Sequence, residues 1–203
     1  MSIPFQDSET AKNLLRAFAG ESQARNRYDF AANFCQKQEL QAMAFIFQAT
    51  AKQEQAHAKV FWDHLQALNG QNLPIYGAYP IEGTNRILKL LRAAQHNEHE
   101  EHGSVYPSFA AIATQEGFPE AAASFRQIAA IEQLHGERFG LLADQLESGA
   151  LFVSQIETGW MCLNCGHTQN SLEAPKQCPV CNHGQGWFIR LELAPWSPVV
   201  KQT

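Results

Sequence analysis

The sequence predicts a mainly α-helical protein, an antiparallel four-helix bundle followed by a small cysteine-rich β module. From about residue 7 to residue 148, apolar residues recur at helical spacing in a background rich in Ala, Gln, Glu and Leu. After Gly149 this periodicity stops, and Cys, Pro, Gly and short β-prone pieces replace it. Because 203 residues suffice for one medium domain and one small module, we predict a bundle over 1–149 and a linker with its module over 150–203.

Four helices fit the first part of the chain. They cover roughly residues 8–37, 40–68, 84–116 and 119–148, with Gly and Pro mainly where helices should begin or end. Pro107 is the exception, because it lies inside the third helix and should kink or interrupt it. Helices of this length are about 45 Å long at 1.5 Å per residue, which suits an antiparallel bundle.

Two short signals mark helix ends. Thr84 is a good N-cap for the third helix, and the pair Asn69-Gly70 suits a left-handed cap at the end of the second. The 45-residue tail beyond the fourth helix is too small to fold comfortably on an apolar core alone, so a metal is expected to hold it together.

Charge and hydropathy exclude two classes of partner. The net charge is -5 and the 15 Lys and Arg residues are scattered, so we expect no nucleic acid partner. The first ten residues lack the pattern of a signal peptide, and no apolar run approaches the roughly 18 residues of a membrane span. We therefore expect a cytoplasmic protein without a membrane partner.

A Glu-x-x-His pattern occurs twice in the helical part, at Glu54 and His57 and at Glu132 and His135. Positions i and i+3 lie on one helix face, so each segment can direct a carboxylate and an imidazole at the same point. One such segment alone usually belongs to a solvated face. The second copy, 78 residues further along the chain, makes a shared site more plausible than two unrelated surface pairs.

Each of these pairs follows another helical glutamate at nearly the same distance. Glu21 precedes Glu54 by 33 residues and Glu98 precedes Glu132 by 34, which indicates a duplicated half-site. This is the ligand set of the ferritin-like di-iron or di-manganese bundles. A solvated face is the alternative, but the neighbours at helical spacing are apolar, and several inward carboxylates cannot be buried without cations.

The five cysteines divide into a cluster and a single residue. Cys162 with Cys165 and Cys178 with Cys181 form two Cys-x-x-Cys knuckles separated by 12 residues, the pattern of a tetrahedral four-thiolate site. Zinc is the commoner metal for this motif alone, whereas a neighbouring di-iron site favours an iron that passes single electrons. Cys35, alone in the first helix, is predicted to be a small core residue.

Five strings make the chain resemble rubrerythrin over nearly its whole length. They are Gly20-Glu-Ser-Gln-Ala-Arg-Asn-Arg-Tyr28, Glu54-x-x-His57, Glu98-x-x-Glu101-His102, Tyr106-Pro-Ser-Phe-Ala110 and Glu132-x-x-His135. In the tail, Trp160, Cys-Gly166 and Cys-Pro179 are similar to rubredoxin. Asn182 departs from the glycine of many rubredoxin knuckles, but asparagine tolerates the left-handed conformation.

The resemblance implies a ferritin-like fold, a carboxylate-bridged non-haem di-iron site and one mononuclear iron in the four-cysteine, rubredoxin-like module. The implied bundle ligands are Glu21, Glu54, Glu98, Glu101, Glu132 and His135, with His57 as a redox-dependent partner. In the family, one iron shifts between an imidazole when reduced and the extra glutamate when oxidised. Ferric iron prefers an anionic oxygen ligand, which gives this exchange a physical reason.

The catalytic residues implied by the resemblance are Glu101, His57, Tyr28 and Tyr106. In similar proteins the two tyrosines hydrogen-bond near the iron ligands, although packing as core aromatics is an equal alternative here. Three further histidines near the third helix are predicted to be surface or outer residues, because neighbours of ligands point about 100° away. They are His96, His99 and His102.

The activity implied by the resemblance is peroxidase activity in oxidative stress defence, the reduction of hydrogen peroxide to water. Electrons would pass through the rubredoxin-type centre from a donor protein such as a rubredoxin or its reductase, so the dependence on NAD(P)H is indirect. Similar proteins form head-to-tail homodimers, which we also expect here. The alternative is a ferritin-like ferroxidase or iron-handling protein with a structural zinc ribbon; Glu101 and the four-cysteine tail argue against it.

Overall fold

The computed structural model describes residues 3–83 and 86–194, and its first part is the predicted bundle of long antiparallel helices. The helices are α1 Glu9–Lys37, α2 Gln41–His64, α3 Ile87–Glu100, α4 Tyr106–Glu116 and α5 Pro119–Glu147. A π-helical turn, Glu101–Val105, joins α3 to α4, so these two helices together form the predicted third helix. The predicted N-cap Thr84 lies outside the described residues.

Local signals account for the ends of the helices. The Ser8 hydroxyl accepts a hydrogen bond of 3.0 Å from the amide of Ala11 and caps α1. The 3₁₀ turn Leu65–Leu68 continues α2 to the predicted end of the second helix. Gly117 follows α4 at φ 85°, in the left-handed region that favours glycine. Within the described part of the chain, no helix has the length and apolarity needed to cross a membrane.

The interruption of the third helix is present, but it begins before Pro107. The π-helical turn ends at Val105, and Pro107 lies in the first turn of α4. A proline there costs little, because amide groups of the first turn have no partner within a regular α-helix. The irregularity therefore comes from a local change of helical pitch, and the proline fits the helix that restarts after it.

Two apolar clusters fill the bundle core, and a layer of buried polar side chains separates them. One cluster contains Phe47 and Phe139, whose rings stack with centroids 5.0 Å apart. The other contains Phe61 and Phe125, with centroids 5.1 Å apart. The carboxylates predicted as ligands occupy the helix turns between these clusters, so the candidate site lies in the middle of the bundle.

The C-terminal module is a three-stranded antiparallel sheet in the order β2-β1-β3. Its strands are β1 Val153–Cys162, β2 Thr168–Glu173 and β3 Phe188–Arg190. Trp160 and Phe188 are almost fully buried in a small core of its own. The ferritin-like bundle with a rubredoxin-like β module is confirmed.

The module packs against the end of the bundle where α1 turns into α2. Met161 and Ile189 belong to the same apolar cluster as Met43 of α2, so the two parts share a core. At Gly186 the backbones approach closely: a Cβ atom there would lie 1.7 Å from the carbonyl oxygen of Glu39. Only glycine allows this contact without a shift of backbone.

Gly186→Ala is expected to loosen the module from the bundle, because the added methyl group cannot share space with the Glu39 carbonyl. Overpacking of this kind costs typically about 1–3 kcal/mol. Limited proteolysis should then cut the linker before β1 faster than in the unsubstituted protein. Gly184→Ala is the matched control, since its Cβ atom would meet nothing within 4 Å and its φ of -69° suits alanine. Equal cleavage of both variants would contradict the proposed contact.

Candidate metal centres

Four glutamates and two histidines from four helices meet in the polar layer of the bundle. Their relative exposures lie between 0% and 7%, far below those of ordinary surface acids. Helices α1 and α3 each contribute one glutamate, and α2 and α5 each contribute one Glu-x-x-His pair. The six residues are Glu21, Glu54, His57, Glu98, Glu132 and His135.

These side chains form two overlapping groups of four, in each of which the ligand atoms lie within 4.8 Å of one another. Glu54 and Glu132 belong to both groups. Glu21 and His57 complete the first group, and the second is completed by one glutamate and one histidine, Glu98 and His135. Two carboxylates shared between two ligand sets are the arrangement that bridges a pair of cations.

The distances repeat about an approximate two-fold relation. His57 Nδ1 lies 2.9 Å from Glu54 Oε2 and 2.9 Å from Glu132 Oε1. His135 Nδ1 lies 3.1 Å from Glu54 Oε1 and 2.8 Å from Glu132 Oε2. Each shared carboxylate therefore directs one oxygen to each histidine, and the imidazole rings are 5.8 Å apart between centroids.

The carboxylates dominate the titration of the two imidazoles. Burial alone would lower the pKa of His57, but hydrogen bonds to Glu132 and Glu54 raise it to about 9. For His135, burial is likewise outweighed by the surrounding carboxylates, which raise its pKa to about 12. Without metal, the layer thus uses protons on these rings to balance part of its negative charge.

Too few protein cations are available to balance the rest. Burial raises the pKa of Glu21 well above its usual range and that of Glu98 to about 8, since like charges surround both. Several buried ligand atoms also make no hydrogen bond within the described part of the chain. They are Glu21 Oε2, Glu54 Oε1, Glu98 Oε2, both carboxylate oxygens of Glu132 and His135 Nδ1. Two divalent cations would meet both needs, so the cluster fits a carboxylate-bridged di-iron site.

Two tyrosines hold the outer glutamates of this layer. The hydroxyl of Tyr28 on α1 donates a hydrogen bond to Glu98 on α3, and the hydroxyl of Tyr106 on α4 donates one to Glu21 on α1. Both rings are almost fully buried. The tyrosines therefore combine core packing with a hydrogen bond to a candidate ligand, and the two alternatives raised by the sequence are not exclusive.

The π-helical turn explains a mismatch in the sequence spacing. Tyr28 follows Glu21 by seven residues, whereas Tyr106 follows Glu98 by eight. A π-helical turn accommodates one more residue than an α-helical turn. The one-residue excess in the second half lies between Glu98 and Tyr106, and it also makes the 34-residue spacing to Glu132 equivalent to 33 in the first half.

Glu101 differs from the other acids. It begins the π-helical turn and belongs to neither group of four, and it is only partly buried. Its Oε1 atom lies 4.0 Å from where a Cβ atom of Gly20 would be, beside the first group. Burial and the charges of Glu98 and Glu132 raise the pKa of the Glu101 carboxyl well above its usual range.

One contact of the site was not predicted from the sequence. Gln53 Oε1 lies 3.0 Å from Nε2 of His135, so this ring nitrogen donates to the amide oxygen and Nδ1 is left to face the carboxylates. A glutamine at an otherwise exposed helix position carries no signal of such a role. Of the three outer histidines, His96 faces Glu100 at the surface and His102 bonds the Ala129 carbonyl, as expected for non-ligands.

Gln53→Leu is expected to weaken metal binding in the bundle by about ten- to a hundredfold, the usual effect of losing a partner of a ligand histidine. The ring of His135 would lose the bond that fixes its orientation. Competition with a chelator, followed by elemental analysis, measures the loss. Gln55→Leu makes the same change two residues away at an exposed position and should retain metal like the unsubstituted protein. Equal retention in both variants would refute the role of Gln53.

The four clustered cysteines form the second centre. The Sγ atoms of Cys162 and Cys181 are 3.7 Å apart, and those of Cys165 and Cys178 are 3.6 Å apart. A tetrahedron with metal–sulfur bonds of about 2.3 Å has edges of about 3.8 Å, so the spacing suits one metal ion. The cluster fits a rubredoxin-type iron site. Cys35 is instead buried in the bundle core, which raises its pKa to about 12.

The two knuckles have the same backbone geometry. The amide of Gly166 donates to the Cys162 carbonyl, and the amide of Asn182 donates to the Cys178 carbonyl, both at 2.9 Å. Gly166 has φ 76° and Asn182 has φ 61°, so asparagine adopts the left-handed conformation expected of it. The backbone amide of His183 lowers the pKa of the Cys181 thiol to about 5, which favours the thiolate needed for metal binding.

Comparison with known proteins covers both parts of the chain. The family model described as rubrerythrin matches residues 12–143, and that of the rubredoxin-like domain of rubrerythrin matches residues 160–189. A rubrerythrin of Porphyromonas gingivalis is 43% identical over 188 residues, 93% of this chain and 92% of the relative. A rubrerythrin of Nitratidesulfovibrio vulgaris is 40% identical over 186 residues, 92% of this chain and 96% of the relative.

Solved structures agree with this assignment. Fully reduced, all-ferrous nigerythrin matches with a TM-score of 0.60 and 25% identity, over 91% of this chain and 90% of that one. The helices that carry the paired Glu-x-x-His segments and the module that carries the four cysteines fall within the two matched regions. The chain therefore belongs to the rubrerythrin family.

Proposed function

We propose that this protein is a peroxidase that reduces hydrogen peroxide to water with electrons relayed through the four-cysteine iron centre. The observation that carries the proposal is a pair of buried metal-ligand groups with two shared carboxylates, in the same chain as a tetrathiolate site. Family membership supports an oxidoreductase. The free thiolates suit a reducing compartment, for which we propose the cytoplasm, and a role in oxidative stress defence.

The proposed reaction takes one hydrogen peroxide, two electrons and two protons to two waters, with cleavage of the O–O bond. A pair of ferrous ions, when bound, supplies the two electrons. We assign the bundle, residues 1–149, to hold that pair and residues 150–203 to the linker and the electron-transfer domain. The proposed bundle ligands are Glu21, Glu54, His57, Glu98, Glu101, Glu132 and His135.

The tyrosines and Glu101 have distinct proposed roles. Tyr28 and Tyr106 hold Glu98 and Glu21 in place through their hydroxyl groups. Glu101 is the most accessible acid beside the buried groups, so it can exchange protons with a substrate that enters there. We further propose that Glu101 and His57 alternate beside the first group, since His57 lies within it here and Glu101 lies outside.

Electrons would arrive from a donor protein such as a rubredoxin or its reductase. Met43 touches the module and Glu54 lies 11 residues further along α2, so the module is roughly 16 Å from the acid layer along the helix axis. Cys165 is exposed, and neighbouring Val180 is 66% exposed, so the thiolate edge of the module is accessible to another chain. We therefore propose a head-to-tail homodimer in which the module of one chain serves the bundle of the other.

The test is anaerobic reduction of the iron-loaded protein followed by mixing with hydrogen peroxide. Oxidised iron-thiolate is red, so the colour should return within the mixing experiment as one peroxide is consumed for every two electrons delivered. A colourless, zinc-containing module, with iron uptake by the bundle, would instead indicate a ferroxidase. A red module that peroxide leaves reduced would contradict the proposal directly.

Glu101→Ala should slow this reaction by about ten- to a hundredfold, as expected when a group that supports ligands or protons at a metal site is lost. The four-cysteine spectrum and the metal content should persist, because Glu101 belongs to neither group of four. Glu120→Ala removes an exposed carboxylate at the start of α5 and serves as the control. Unchanged peroxide kinetics in Glu101→Ala would remove the main reason to prefer a peroxidase to an iron-storage protein.

A further inference from the structure

A cavity of about 310 Å³ opens from the surface toward Glu101. Helix α1, the π-helical turn and the start of α4 form one side of it, and the connection between α2 and α3 forms the other. We call residues 76–82 of this connection the strap. The cavity is about ten times the volume of a water molecule in the liquid, and it reaches the lower end of the range for small-molecule sites.

The strap is fixed to α1 by hydrogen bonds at several points. Arg16 Nε donates to the Tyr76 carbonyl at 2.8 Å, and the Tyr79 hydroxyl donates to the Arg16 carbonyl at 2.9 Å. Gln23 Nε2 donates to the Pro80 carbonyl at 2.7 Å. Because these bonds anchor the strap on both sides of Tyr79, the cavity is preformed and needs no rearrangement to accept a ligand.

The cavity has a polar inner end and largely apolar walls. Glu101 and Tyr106 lie at the inner end, and Tyr106 donates to the candidate ligand Glu21. Val105 and Phe109 line a wall. A molecule with a small apolar body and one polar, oxygen-rich end would match this division, with its polar end directed at the acid layer.

We propose that this cavity is the substrate entrance of the bundle site and that it admits compact organic hydroperoxides as well as hydrogen peroxide. This inference rests on the proposed function and extends its substrate class. Hydrogen peroxide has two oxygen atoms and no apolar surface, so neither the size nor the apolar wall of the cavity is needed for it. An alkyl hydroperoxide uses both, since its alkyl group contacts the wall while its hydroperoxide group reaches Glu101.

The reaction has the same electron balance as the proposed one. One alkyl hydroperoxide, two electrons and two protons yield one alcohol and one water as the O–O bond breaks. The electrons come one at a time from the reduced four-cysteine iron centre, as for hydrogen peroxide. No other reductant is required.

The experiment uses the full iron-loaded chain, reduced anaerobically and mixed separately with hydrogen peroxide and tert-butyl hydroperoxide. Reoxidation of the iron-thiolate centre gives a rate constant for each oxidant. We expect the two constants to agree within about a hundredfold, the range that differences of a few methyl groups produce in a fitted pocket. If tert-butyl hydroperoxide fails where hydrogen peroxide succeeds, this inference is wrong alone. If hydrogen peroxide also fails, the proposed function is wrong.

Two variants narrow the cavity at opposite ends. Gly20→Ala adds a methyl group at the floor, 3.5 Å from the Tyr79 ring and 4.0 Å from Glu101 Oε1, without a forbidden contact. Ala78→Trp adds bulk at the exposed mouth. At least one should lower the ratio of the tert-butyl to the hydrogen peroxide rate constant by about tenfold. Ile81→Trp adds the same bulk to the strap at a residue 98% exposed and outside the cavity, and it should leave both constants unchanged. An unchanged ratio in both narrowed variants would exclude this route.

Discussion

Glu132→Ala is expected to reduce the metal content from three atoms per chain to one and to abolish peroxide reduction. The three atoms correspond to the two groups of the bundle and the four-cysteine cluster. Glu132 belongs to both bundle groups and lies within 2.9 Å of both ligand imidazoles, so one substitution removes a ligand from each metal position. Neither remaining set would hold a bridged pair.

Elemental analysis of iron-reconstituted protein and the visible spectrum measure the two centres separately. The four-cysteine spectrum should be retained, since its ligands belong to the module. Glu137→Ala, at an exposed position on the same helix, should keep all three metals. Chelation should also lower the Tm of the unsubstituted bundle far more than that of Glu132→Ala, because bound metal stabilises the folded state. Full metal content in Glu132→Ala would rule out the bridging role.

The repeated pattern explains why most of the acid layer could be predicted from the sequence. Glu54 with His57 and Glu132 with His135 share one helix face by the geometry of i and i+3, whatever the tertiary structure. Their apolar neighbours indicated that these faces point inward. Glu21 could be added from spacing alone, since a duplicated half-site must supply its partner in each half.

Other features depend on tertiary contacts that leave no local pattern. The sequence placed the break of the third helix at Pro107, because proline is a strong local signal, whereas the π-helical turn before it has none. Gln53 meets His135 only because α2 and α5 are adjacent in the bundle. Gly186 could be recognised as a glycine but not as the contact with Glu39, since the two residues are far apart in the chain.

Transfer between chains can be tested by complementation of two inactive variants. One chain carries Cys162→Ala with Cys165→Ala and keeps an intact bundle site. The other carries Glu54→Ala with Glu132→Ala and keeps an intact four-cysteine centre. Each chain alone lacks one of the two centres, so neither homodimer should reduce peroxide. In a head-to-tail heterodimer, the intact module of the second chain lies beside the intact bundle of the first.

Mixing the two chains under conditions that exchange subunits should therefore restore activity. Random exchange makes about half of the dimers mixed, and each mixed dimer has one working pair of centres out of two, so about a quarter of the unsubstituted activity is expected. A module confined to its own bundle end, roughly 16 Å along α2 from the acid layer, would restore nothing. Differently tagged chains confirm the exchange. A mixture that exchanges fully and remains inactive would show that electrons do not cross between the chains.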